Sequence, residues 1–152
     1  MKESTKLREE MKRDLMKVYR EESKEYSGFL QMEIYDRTIH HEAPRFYIDV
    51  RRAHQNISPM LRGDRSRLEK MKPLRREMYE ALFDVVIRLS QEESYCGKSL
   101  YCILRRAVTE PAPRFYIDKT RMGQIWKEQT FKVRVMSKRK LEERRIRKEG
   151  SL

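Results

Sequence analysis

The sequence predicts a mostly α-helical protein. Its design is a tandem duplication of one unit, a long helix, an extended corner and a short helix, with the two copies packed about a pseudo-two-fold axis. Three observations lead there. The phrase APRFYID occurs at 43–49 and again at 112–118, 69 positions later. Apolar residues upstream of each copy recur at helical spacing. In each copy a proline bars helix before it and an aspartate can cap a helix after it.

Residues 4–40 read as helix. Leu7, Met11, Leu15 and Val18 fall on one face, and Tyr26, Phe29, Leu30, Ile34 and Ile39 extend the apolar content. Ser27-Gly28 is a candidate break, since glycine inside a helix costs about 1 kcal/mol against alanine. In the first phrase, extended backbone puts Phe46 and Ile48 on one side and Arg45 and Tyr47 on the other. Asp49 should cap a helix from Val50 to about Ile57. Ser58-Pro59 is expected to start a separate turn that Gly63 ends.

Ser66 to Glu69 has the pattern of a capping box, and Pro73 interrupts or restarts the helix it opens. Leu74, Met78, Leu82, Val85, Val86 and Leu89 form a stripe that sets a helix over 74–91. Residues 92–97 are a joint. Helix resumes over 98–109 with Leu100, Ile103, Leu104 and Ala107 inward. The second phrase follows, capped by Asp118, with a helix to about 129. Phe131 to Val135 alternates and predicts a short strand. A basic helix or arm over 137–148 is anchored only by Leu141 and Ile146.

The repetition extends beyond seven residues. At the same offset Arg37 matches Arg106, Arg52 matches Arg121, Gln55 matches Gln124 and Tyr26 matches Tyr95. Two copies are too few for an open solenoid. The expected organisation is one helical domain over 1–131, made of repeats at about 1–63 and 64–131, and a basic C-terminal arm over 132–152. Phe46, Ile48, Phe115 and Ile117 should seal the contact between copies, and the corners could pair as an antiparallel ribbon.

Charged residues are 39% of the chain and hydrophobic residues 38%, so the core is modest for the length. The net charge of +12 is unevenly placed. Residues 43–76 hold ten basic and three acidic side chains, and residues 132–152 hold nine and three; the rest is near neutral. Alternating basic regions imply a polyanionic partner, DNA or RNA first and an anionic membrane surface second. There is no run of 18 apolar residues and no apolar leader segment, so no membrane association is expected. Cys96 and Cys102 lack the spacing of metal ligands. They read as reduced, small buried residues of a cytoplasmic protein.

The expected nucleic-acid contacts begin with the polar face of each phrase. Arg45 with Tyr47, and Arg114 with Tyr116, place a guanidinium beside a phenol, which suits phosphate contact and base stacking. Arg51, Arg52 and Arg121 follow the phrases, and Arg139, Lys140, Arg144 and Arg145 add grip from the C-terminal arm, where Arg134 and Lys148 also lie. Gly97-Lys98-Ser99 lacks the first glycine and the preceding strand of a phosphate loop. His40-His41-Glu42 has no third ligand placed by spacing. No catalytic residue, metal or cofactor is assigned. The expected function is that of a non-enzymatic nucleic-acid-binding or nucleoprotein accessory protein. The alternative is a helical protein–protein adaptor, or a structural component of a phage or mobile-element assembly, binding an acidic protein or self-associating through the Leu7/Met11/Leu15/Val18 seam of its first helix.

Overall fold

Helices dominate because most of the chain joins good helix formers to apolar residues at helical period. The computed structural model describes the backbone of residues 3–150. The side chains at 3, 133, 134, 137 and 148–150, including those of Arg134 and Lys148, lie outside the described residues. The helices are α1 (Glu3–Glu25), α2 (Gln31–Ile39), α3 (Val50–Leu61), α4 (Ser66–Glu69), α5 (Pro73–Ser90), α6 (Leu100–Ala107) and α7 (Lys119–Gly150), with a short 3-10 turn at Glu93–Tyr95. The chain divides into two units, one ending at Lys119 and one beginning at Thr120.

In the first unit α1 packs on α2, and α6 packs on both α3 and α5. Leu15, Ile57, Tyr79, Leu82, Val86 and Leu104 are fully buried there. The breaks fall at corresponding places. Gly28 and Gly97 both take positive φ, +96° and +76°, a conformation that costs an L-residue about 1 kcal/mol or more. α2 and α6 begin at 31 and 100, and α3 and α7 begin at 50 and 119; each pair is separated by the same 69 positions as the glycines. In the second unit α7 buries Met122 and Ile125 near its start, whereas its described side chains from 138 to 147 are all exposed.

The expected break at Ser27-Gly28 divides residues 4–40 into α1 and α2. Other elements differ from expectation. α3 runs through Pro59 rather than restarting there. Proline has no N–H to donate to the carbonyl four residues back, that of Gln55; Arg67 donates to it instead, Nη1 to O at 3.2 Å. Ser66 does not close a capping box. Its N–H and hydroxyl both donate to Asp64 Oδ1, at 3.0 and 2.7 Å, and these bonds hold the Asp64 carboxyl below the usual range. α4 stops after one turn, where Arg76 donates to the carbonyls of Leu68, Glu69 and Met71.

The expected strand at Phe131–Val135 is part of α7. A lone strand leaves its backbone groups unpaired, whereas helix satisfies them internally. Cys96 and Cys102 are exposed, not buried; in α6 the inward positions belong to Ile103, Leu104 and Ala107. Of the α1 seam, Leu7, Leu15 and Val18 are buried in the fold, whereas Met11 is half-buried. Among the described residues no helix is long and apolar enough to cross a membrane.

Candidate functional site

The two phrases meet. Ala43 and Ala112 form an isolated antiparallel bridge. Each N–H donates to the other's carbonyl at 2.9 Å, Phe46 N–H donates to Val108 O, and Phe115 N–H donates to Ile39 O, both at 3.0 Å. The expected ribbon reduces to this one bridge. Phe46 and Phe115 are each 1% exposed, a burial worth about 1.5–3 kcal/mol apiece. The Phe46 ring lies parallel to Tyr116, with centroids 6.5 Å apart, and Tyr47 lies parallel to Phe115 at 6.1 Å. Ile48 is buried, and Ile117 is half-buried.

The phrase arginines are held by this joint. Arg45 Nε donates to Phe46 O and Arg114 Nε to Phe115 O, each at 3.1 Å. Arg45 also lies 3.9 Å from Glu10. Arg114 donates to Ile117 O at 3.2 Å and approaches His40 Nε2 at 3.1 Å. A guanidinium can only donate, so His40 Nε2 is the acceptor there. Its Nδ1–H then donates to Asp36 O at 2.8 Å. His40 and His41 are exposed at the end of α2.

The two tyrosines differ. The Tyr47 hydroxyl donates to Asp14 Oδ2 at 2.5 Å. Burial, then that hydrogen bond and the carboxylate's charge, push the Tyr47 phenol far above its ordinary range. Sixty-nine positions after Asp14 stands Phe83, which has no acceptor to offer. The Tyr116 hydroxyl has no hydrogen-bond partner among the described residues. Its phenol is raised by burial, with Arg114 opposing the rise and Glu77 adding to it.

Beside this joint lies a groove of about 460 Å³ between α1, α5 and the two phrases. Arg8, Arg45, Arg52, Lys72, Arg75 and Arg114 line it, against the single carboxylate of Asp49. Its apolar lining comprises Leu7, Met11, Phe46, Ile48, Leu74, Met78 and Ile117, with the half-buried Tyr47 and Tyr116 adding ring surface and Tyr79 fully buried. Arg8, Lys72 and Arg75 are exposed, and none has a carboxylate within ion-pair distance among the described residues. Arg75 sits over the Tyr79 ring at 5.8 Å. Arg52 is loosely tied to Asp49 at 3.9 Å.

Of the residues expected to make contacts, Arg45, Tyr47, Arg52, Arg114 and Tyr116 line this groove, and Arg51 on α3 is exposed outside it. Arg121 lies on α7, bonded to Gln124 at 3.3 Å and 3.8 Å from Glu128. Arg139, Lys140, Arg144 and Arg145 are exposed on α7, with Arg145 3.5 Å from Glu142. Much of the first basic cluster is internal structure: Arg65 pairs with Glu80 at 3.1 Å, and Arg67 and Arg76 bind backbone carbonyls. Arg8 was not foreseen, because α1 is near neutral in sequence and only its approach to α5 makes this residue part of a basic lining. Among the described residues no three His, Cys, Asp or Glu side chains are grouped to hold a metal ion. Comparisons with protein-family models, curated proteins and solved structures found no match.

Proposed function

We propose that this chain is a non-enzymatic nucleic-acid-binding or nucleoprotein accessory protein that grips its partner through phosphate contacts. One observation carries the reading: a groove with six basic side chains and one carboxylate, open cations at its edge and aromatic and aliphatic surface within. Such a surface suits a polyanion with apolar faces. The exposed cations of α7, Arg139, Lys140, Arg144 and Arg145, add sequence-independent attraction. Arg45 and Arg114 contribute fixed positive charge from the floor, and the mobile contacts come from Arg8, Arg52, Lys72 and Arg75. A cytoplasmic location belongs to the same proposal.

The fold itself we read as a tandem duplication about a pseudo-two-fold axis passing near the Ala43–Ala112 bridge. The reciprocal hydrogen bonds and the exchanged Phe–Tyr pairs support this reading. The groove departs from the symmetry, since positions equivalent to Tyr79 and Met78 on α1 are Glu10 and Glu9.

The protein–protein adaptor is a second reading, favoured by Phe29, Leu30 and Met32, three large apolar side chains exposed together around the α1–α2 joint. Binding of purified protein to duplex DNA, single-stranded DNA and structured RNA across a salt series separates the two. Affinity that falls steeply with salt supports the nucleic-acid reading. No binding of any of the three at low salt refutes it.

A further inference from the structure

We infer that the groove receives an unpaired nucleotide, its phosphate met by Arg8, Lys72 and Arg75 and its base packed on the aliphatic wall; the inference rests on the nucleic-acid reading above. Three features of the groove combine. Its volume of about 460 Å³ falls in the range of small-ligand sites, room for a nucleotide and far too little for a duplex. The three cations are exposed at the groove and have no carboxylate within ion-pair distance among the described residues. The wall they border is apolar, with Met11, Leu74 and Met78 among its members. A duplex stacks its bases inward and would leave that wall unmatched, whereas an unpaired base presents an apolar face to it. Methionines adapt to different ring shapes, so the pocket should tolerate any base.

The duplicated phrase explains how the site comes to have one polar handle. Tyr47 is committed to Asp14, but Phe83 stands where the equivalent acid would be. The Tyr116 hydroxyl has no such partner among the described residues, and the residue lines the groove, where it could bond a phosphate or a base edge. Its ring is already held parallel to Phe46. The groove therefore offers one tyrosine hydroxyl and several cations to the nucleotide.

The test uses the full chain and fluorescence anisotropy with a labelled single-stranded tetranucleotide and a labelled blunt duplex. The triple variant Arg8→Ala/Lys72→Ala/Arg75→Ala should weaken the tetranucleotide about tenfold or more. It should reduce the slope of log K against log salt by about 2 for that ligand and leave the duplex within about threefold. Photocrosslinking of a tetranucleotide carrying 5-bromouracil should label Tyr116 or Met78. Free AMP should displace the tetranucleotide if the pocket takes the nucleotide unit itself; dependence on a longer strand would show in AMP failing while a dinucleotide competes, and both support the inference. Equal loss for duplex and single strand, crosslinks confined to α7, or displacement by decanoate but by neither nucleotide would overturn it. Failure of every nucleic acid to bind wild-type protein would instead remove the broader reading.

Discussion

Ala43 and Ala112 exchange both of their backbone hydrogen bonds, each N–H lying 2.9 Å from the other's carbonyl oxygen. Both side chains are 1% exposed, so the two copies of the phrase approach with room for a methyl group and little more. Ala112→Leu should therefore destabilise the protein by about 1–3 kcal/mol through overpacking. Phe46→Ala or Phe115→Ala should cost about 3–5 kcal/mol by leaving a cavity. Thermal denaturation of the three variants checks both statements.

Tyr47 and Tyr116 occupy equivalent places in the phrase but should respond unequally to loss of the hydroxyl. Tyr47→Phe deprives the Asp14 carboxylate of its donor and is expected to cost about 1–3 kcal/mol. Tyr116→Phe removes no hydrogen bond among the described residues and should stay within about 0.5 kcal/mol. Denaturant midpoints for the two variants give the comparison directly.

Alkaline pH should unfold the protein in part through these rings. Tyr47, Tyr35 and Tyr116 all hold their protons more tightly than ordinary tyrosine, chiefly because burial disfavours the phenolate. An unfolded tyrosine releases its proton near pH 10. Above that point the folded state binds more protons than the unfolded state, so stability falls as pH rises; below it the contribution is complete. Absorbance titration of the phenols, run beside circular dichroism, should find a group that ionises only as helix is lost. Tyr47→Phe should make the decline shallower.

Arg67 and Pro59 should be energetically coupled. Arg67 donates to the Gln55 carbonyl that Pro59 leaves without its helical partner. Arg67→Ala is expected to cost about 0.5–1.5 kcal/mol in the native background. In a Pro59→Ala background the helix can supply the missing N–H itself, and the cost should shrink. A double-mutant cycle by urea denaturation measures the difference.

The α7 cations should act on affinity without acting on stability. Arg139, Lys140, Arg144 and Arg145 are exposed, so replacing all four by alanine should move the melting temperature little. On duplex DNA the slope of log K against log salt should fall by about 3–4 if each meets a phosphate. An unchanged slope would remove α7 from the interface.

The sequence by itself determined the local grammar of this protein. Proline and aspartate around each phrase, glycine at the breaks and the apolar stripe of α5 are short-range signals, because they act through the dihedral angles and hydrogen bonds of neighbouring residues. They placed the corners, the Asp49 cap and the mostly helical class correctly. Where local signals competed, tertiary structure decided. Pro59 remains inside α3, where Arg67 from another element donates to the Gln55 carbonyl that it leaves without a helical partner, and the alternation at Phe131–Val135 yields to helix for want of a strand to pair with. The same holds for the site. Charge counts marked the region around Lys72 and Arg75, but Arg8 joins them only because α1 and α5 line the same groove. The arginines of the phrase, read from sequence as open contacts, are tied down by carbonyls that the folded joint brings within reach. A side chain's partners are fixed by distances across the fold, and those distances are not written in residue order.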